Sequence, residues 1–128
     1  MKTILSILLP ILILTGCATP PTAQQMASMD YGPMPQNQEE AIKKYFEKVL
    51  FDPYSAHYDF QEPEMFWYKQ PPLAGGGLFS GWIVRVSVNA KNRFGGYVGA
   101  ETYGFLIKNE EIIKVLSPME LQNIRHSH

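Results

Sequence analysis

The hydrophobic period of the chain changes at Asp52-Pro53, and this change limits the fold more than any other feature. Before it, Ile42, Tyr45, Phe46, Val49 and Leu50 recur at helical spacing and form one apolar stripe. After it, apolar side chains fall on every second residue, as in Ala56/Tyr58/Phe60 and Trp82/Val84/Val86/Val88, the pattern of strands with one face buried. A helix followed by strands with hairpin-length connections builds an antiparallel sheet, and one helix suffices to cover one of its faces. The expected class is α+β, with an N-terminal helix packed on a sheet of about four to five strands.

The helix is expected over 37–50. Asn37 is a suitable N-cap and Glu40, three residues on, completes a capping box. Glu39/Lys43 and Glu40/Lys44 are i,i+4 pairs on the wet side. Phe51-Asp52-Pro53 ends it, because a residue before proline is pushed out of the helical region. Asp52-Pro53-Tyr54-Ser55 then reads as a tight turn with the aspartate capping the amides that follow. Strands are expected over 56–60, 65–69, 81–90, 97–108 and 111–116. A mobile loop over 70–80 carries Pro71, Pro72 and Gly75-Gly76-Gly77. Gly99 and Gly104 lie inside a strand pattern, where they mark a bulge or a close approach. Ser117, Pro118 and Glu120 are the N-cap, N1 and N3 residues of a short C-terminal helix in the tail 117–128.

The only cysteine sits at position 17, at the end of an apolar run that begins near Ile4. As a helix, Ile4 to Leu14 would rise about 16 Å, half of a bilayer core, which is too short for a membrane span. Leu14-Thr15-Gly16-Cys17 resembles the lipobox of bacterial lipoprotein precursors. The resemblance implies a signal peptide over 1–16, cleavage ahead of Cys17, and a thiol linked to diacylglycerol bearing fatty acyl chains such as palmitate. Ala18, where an aspartate would favour retention at the inner membrane, implies the outer membrane, with the domain in the periplasm. Lipidation occupies the only thiol, so the fold must stand without a disulfide.

Removal of Lys2 with the signal peptide takes the formal charge from −1 to −2, and there is no basic block to suggest nucleic acid. Residues 18–37 hold Pro20, Pro21, Pro33 and Pro35 among Gln, Ala and Met, with Asp30 as the single charge. No period runs through them, so they read as a flexible leash from Cys17 to a domain over 38–116.

Asp52-Pro53-Tyr54-Ser55-Ala56 and Asn89-Ala90-Lys91-Asn92-Arg93-Phe94-Gly95-Gly96-Tyr97-Val98-Gly99 together resemble a recurring set of small exported bacterial proteins. That set shares Asp-Pro-x-Ser-Ala and Asn-Ala-Lys-Asn-x-aromatic-Gly-Gly-aromatic-x-Gly, and brings no assigned activity. The order of elements is also similar in outline to cystatin-like folds, a likeness that carries no function.

Within the second motif, Asn92, Gly95 and Gly96 tolerate positive φ and suit a long hairpin turn. Lys91, Asn92, Arg93, Phe94 and Tyr97 form a candidate binding surface at its tip, with two cations beside aromatic rings. Phosphate cradling is excluded, because no helix starts after the glycines. His57 and Asp59 share a strand face and are read as solvated polar residues rather than metal ligands. His126 and His128 lie at a terminus. Ser55, Ser80 and Ser87 lack the strand-turn-helix context of a nucleophile and have no assignable base.

No cofactor is implied and the chain is not read as an enzyme. The expected role is a lipid-anchored, non-catalytic envelope protein that binds another envelope protein or forms part of a larger assembly. The alternatives are an inhibitor of a hydrolase or toxin, and a glycan-binding or glycan-hydrolysing protein using Trp67, Tyr68, Phe79 and Trp82. The spacing of those aromatics favours the core instead.

Overall fold

The computed structural model describes residues 20–125, so the lipobox, Cys17 and the terminal histidines lie outside the described residues. The order of elements is α1 (Ala23–Ala27), α2 (Gln38–Val49), β1 (His57–Phe60), β2 (Glu64–Lys69), β3 (Leu78–Asn89), β4 (Glu101–Lys108), β5 (Glu111–Leu116) and α3 (Pro118–Arg125). Short 3₁₀ turns at Pro53–Ser55 and Pro72–Ala74 link α2 to β1 and lie between β2 and β3. The five strands form one antiparallel sheet in which β1 and β2 share the same edge of β3, and β4 and β5 follow on the other side. The fold is the expected α+β, a helix packed on an antiparallel sheet.

The amphipathic stripe of α2 accounts for one core. Ile42 and Phe46 are fully buried against Val84, Val86, Val88, Phe105 and Ile107, with Tyr45, Leu50, Tyr58, Phe60 and Tyr103 around them. Phe46 meets Phe105 edge-on with ring centroids 5.5 Å apart, a preferred aromatic geometry.

A second core forms on the opposite face. There Ile83, Leu106 and Leu116 are buried beneath Leu121 and Ile124 of α3, with Phe66, Tyr68, Phe79 and Ile113 at the margin. The sheet therefore has a helix on each face, although α3 has few apolar residues. Gly104 explains how so small a helix docks. A Cβ there would lie 2.9 Å from Leu121 Cδ2 and 3.1 Å from Ile83 Cδ1. Its missing side chain is the socket for Leu121, the close approach expected of this glycine. Ser117 and Glu120 form the predicted box, Glu120 N to Ser117 Oγ at 3.3 Å and Ser117 N to Glu120 Oε2 at 2.8 Å.

One bulge decides which aromatics go to which core. Phe60 pairs with Val86 and Glu64 with Ile83, so three residues, 61–63, oppose two on β3. The extra residue reverses the alternation. Tyr58 and Phe60 face α2, whereas Phe66 and Tyr68 face α3. Pro63, which lacks an N–H, sits at this edge, where a missing ladder bond is tolerated.

Several expectations are corrected. β4 starts at Glu101 rather than Tyr97, because Gly99 at φ +104° turns the chain and Tyr97 pairs only as an isolated bridge with Lys91. β3 begins at Leu78, inside the stretch expected to be a mobile loop. Leu78, Phe79 and Ser80 pair with Lys69, Tyr68 and Trp67, and Gln70 N donates to Gly77 O at 2.9 Å, closing the hairpin.

The leash expected over 18–37 is not free throughout its described part. From Asp30 onward it forms a strap across the end of the sheet where β3 begins. Ser80 Oγ donates to Asp30 O at 2.8 Å, Trp82 Nε1 donates to Gly32 O at 2.9 Å, and Pro35 is buried. Lys108 Nζ lies 3.7 Å from the Asp30 carboxylate. The capping box at Asn37 does not form, since the Asn37 side chain makes no cap bond. Glu110 takes its place, accepting from Gln36 N at 2.9 Å and Asn37 N at 3.2 Å. Backbone groups without a helical period can be satisfied by partners far along the chain, which is why the strap carries no local signal.

No helix among the described residues is long and apolar enough to cross a membrane.

Candidate functional site

α2 runs from the strap end of the sheet to the opposite end, and its exit positions the first motif. The Asp52 side chain makes no cap bond, contrary to expectation. Instead Ser55 closes the turn, its Oγ donating to Asp52 O at 2.8 Å and its N–H to the same carbonyl at 3.3 Å. Ser55 Oγ also accepts the N–H of Lys91 at 2.8 Å, which joins the turn to the β3–β4 connection. The two motifs, separated by more than thirty residues, are thus one structural unit.

Tyr97 adds a second tie. Its hydroxyl donates to Ser55 O at 2.8 Å and lies 3.2 Å from His57 Nε2. A phenol has one hydrogen, and Ser55 O takes it, so His57 Nε2 must be the donor to Tyr97. The rings of His57 and Tyr97 lie 5.5 Å apart at 33°, and Lys91 Nζ sits 5.8 Å from the centre of the Tyr97 ring.

The loop beyond these ties closes on itself. Asn92 Oδ1 accepts from Phe94 N at 2.9 Å and Gly96 N at 3.3 Å, while Asn92 N donates to Gly96 O at 2.9 Å. Gly95 has φ +78°, a conformation natural to glycine. Asn92 therefore serves the turn through its side-chain oxygen, which is occupied by the loop's own amides. Tyr97 has a double role, with its hydroxyl tied inward and its ring 44% exposed. Lys91 and Arg93 are exposed, and among the described residues neither has an acidic partner within ion-pair distance. Phe94, 90% exposed, projects from the tip.

The sequence reading missed Phe51, Tyr54 and Val98, all large, apolar or aromatic, and exposed at this same end. Tyr54 lies inside the first motif and Val98 inside the second, so their positions were visible but their exposure was not.

The remaining candidates are built into the fold. Ser80 Oγ holds the strap, and Ser87 Oγ shares a 2.9 Å hydrogen bond with Thr102 Oγ1. His57 bonds Tyr97 of the β3–β4 connection and is not paired with Asp59. Tyr68 and Phe79 pack on the second core, and Trp82 binds the strap. No group of three or more metal-ligating side chains occurs among the described residues.

On the α3 face, a groove of about 420 Å³ is lined by Phe66, Arg85, Thr102, Leu121, Gln122 and Ile124, among others. Arg85 is engaged there by Glu64 at 2.7 Å, so its charge is compensated. Glu101 also lines the groove, its Oε2 accepting from Tyr103 Oη at 3.1 Å, while Thr102 Oγ1 shares its hydrogen bond with Ser87. No protein-family model, no curated protein and no solved structure matches the chain.

Proposed function

We propose that this is a lipid-anchored, non-catalytic protein of the bacterial envelope whose folded domain binds another envelope protein or completes a larger assembly. The proposal takes Leu14-Thr15-Gly16-Cys17 as a lipobox, with Cys17 carrying the lipid, the outer membrane as the anchoring surface, and the domain in the periplasm. The observation that carries the binding role is the tip: Phe94 is almost fully exposed on a loop whose backbone is held by Asn92 and tied to Ser55. A large aromatic displayed on a pre-organised loop supplies contact area at low entropic cost, which is what a docking residue requires. Serine hydroxyls engaged in structural bonds, and a histidine whose Nε2 is occupied, support the absence of a catalytic role.

Two experiments test the two halves. Replacing Cys17→Ser should abolish incorporation of labelled fatty acid and release the protein from membranes; continued acylation would refute the anchor. Pull-down of the lipidated protein from its own membranes should recover a partner that Phe94→Ala loses; equal recovery by both forms would refute the role of the tip.

A further inference from the structure

Resting on that reading, we infer that the docking surface has two parts, the Phe51–Tyr54 turn and the Phe94–Val98 loop, and that it fits a protein partner presenting an acidic rim around an apolar recess. The exposure of four side chains motivates it: Tyr54 is 101% exposed, Phe94 90%, Val98 74% and Phe51 68%. Ser55 binds the two segments together through Lys91 N and Tyr97 Oη, so the four are displayed from one supported end of the sheet. Clustered exposed apolar groups of this size mark interaction surfaces.

The charge pattern specifies the partner. Ala90 to Ala100 holds Lys91 and Arg93 and no acid, the Phe51–Tyr54 turn adds the single carboxylate of Asp52, and neither cation is within ion-pair distance of an acidic side chain among the described residues. Cations beside exposed aromatics meet carboxylates at the rim of a recess that receives the rings.

The position of the strap favours a protein over the lipid surface. The strap that leads back towards Cys17 lies against Ser80 at Asp30, and α2 starts from this end and runs to the opposite one. The twelve residues of α2 span about 18 Å. Trp82 to Asn89, running the same way along the sheet, spans about 24 Å. The Tyr54/Phe94 surface therefore lies at the end of the domain away from the strap that leads back towards Cys17.

The test places a photo-crosslinking residue at position 54, 94 or 73 of the full lipidated chain in its own cells. Leu73, 104% exposed in the β2–β3 connection at the strap end, is the control. Positions 54 and 94 should capture the same polypeptide through acidic peptides, with little capture from 73. Lys91→Glu with Arg93→Glu should cut both captures at least tenfold. Capture from 94 but not 54 overturns the two-part surface while leaving the binding role intact. Phospholipid adducts in place of protein overturn the partner class, as does capture insensitive to charge reversal. No capture at any position, with acylation intact, overturns both this inference and the binding role.

Discussion

The Glu110 carboxylate accepts the N–H of Asn37, 73 residues away in the chain, and so caps the helix from the turn between β4 and β5. Asn109 and Glu110 both have positive φ, 52° and 64°, the geometry of a type I′ hairpin turn. A glutamate in this conformation is strained by roughly 1 kcal/mol or more. The strain is sustained because the turn delivers negative charge to the positive end of α2.

Glu110→Ala should destabilise the domain by about 1–2 kcal/mol. Asn37→Ala should cost much less, because the asparagine side chain makes no cap bond. Urea denaturation of the two variants checks the contrast. Equal losses would return the cap to Asn37.

Gly104→Ala should cost about 1–3 kcal/mol by overpacking against Leu121 and Ile83. Adding Leu121→Ala should recover part of that loss, a coupling that a double-mutant cycle measures. Gly81→Ala behaves differently. Its Cβ would lie 2.6 Å from the carbonyl oxygen of Ile107, which belongs to the backbone and cannot be trimmed away. Its cost should remain when Leu121 is truncated.

Tyr97→Phe removes the hydroxyl that joins Ser55 to His57 and should lower stability by about 1 kcal/mol. Phe94→Ala should leave the melting temperature unchanged within error, because the ring is exposed, while abolishing partner capture. Thermal melts paired with crosslinking yield separate the tie from the contact. A large drop in melting temperature for Phe94→Ala would show that the ring packs in the free protein.

Alkaline pH should destabilise the domain. Tyr58, Tyr68 and Tyr103 titrate above the ordinary phenol value of 10.0, chiefly because they are removed from water. Glu47, Glu120 and Glu101 respectively reinforce the shifts. Each phenol then loses its proton more readily in the unfolded chain. Their contribution is complete below pH 10.0 and declines as pH rises through the raised folded values. Melting temperatures measured from pH 8 to 11 should fall at the upper end, and Tyr58→Phe with Tyr103→Phe should flatten that fall.

Periodicity revealed α2, the strands and their antiparallel order, because each buries a face that repeats in the sequence. It also revealed α3 through Ser117 and Glu120, and the close approach at Gly104. What escaped it are bonds whose two ends lie far apart. Trp82 Nε1 to Gly32 O, Glu110 to Asn37 and Ser55 to Lys91 each join a local pattern to a segment that carries none. At the candidate site, Lys91, Arg93 and Phe94 were legible as a tip. Tyr54 was not, because a tyrosine in a turn reads equally well as buried or displayed.

The bulge at 61–63 gives the edge of this sheet one residue more than its ladder needs, which composition does not show. Gln61 and Glu62 are exposed, and substitutions there should be tolerated. Deleting a single residue from the same stretch would leave two residues opposite two on β3, so the bulge would disappear while Phe66 and Tyr68 kept the α3 face. In a library of variants, this short edge segment should accept many spellings and the loss of one residue.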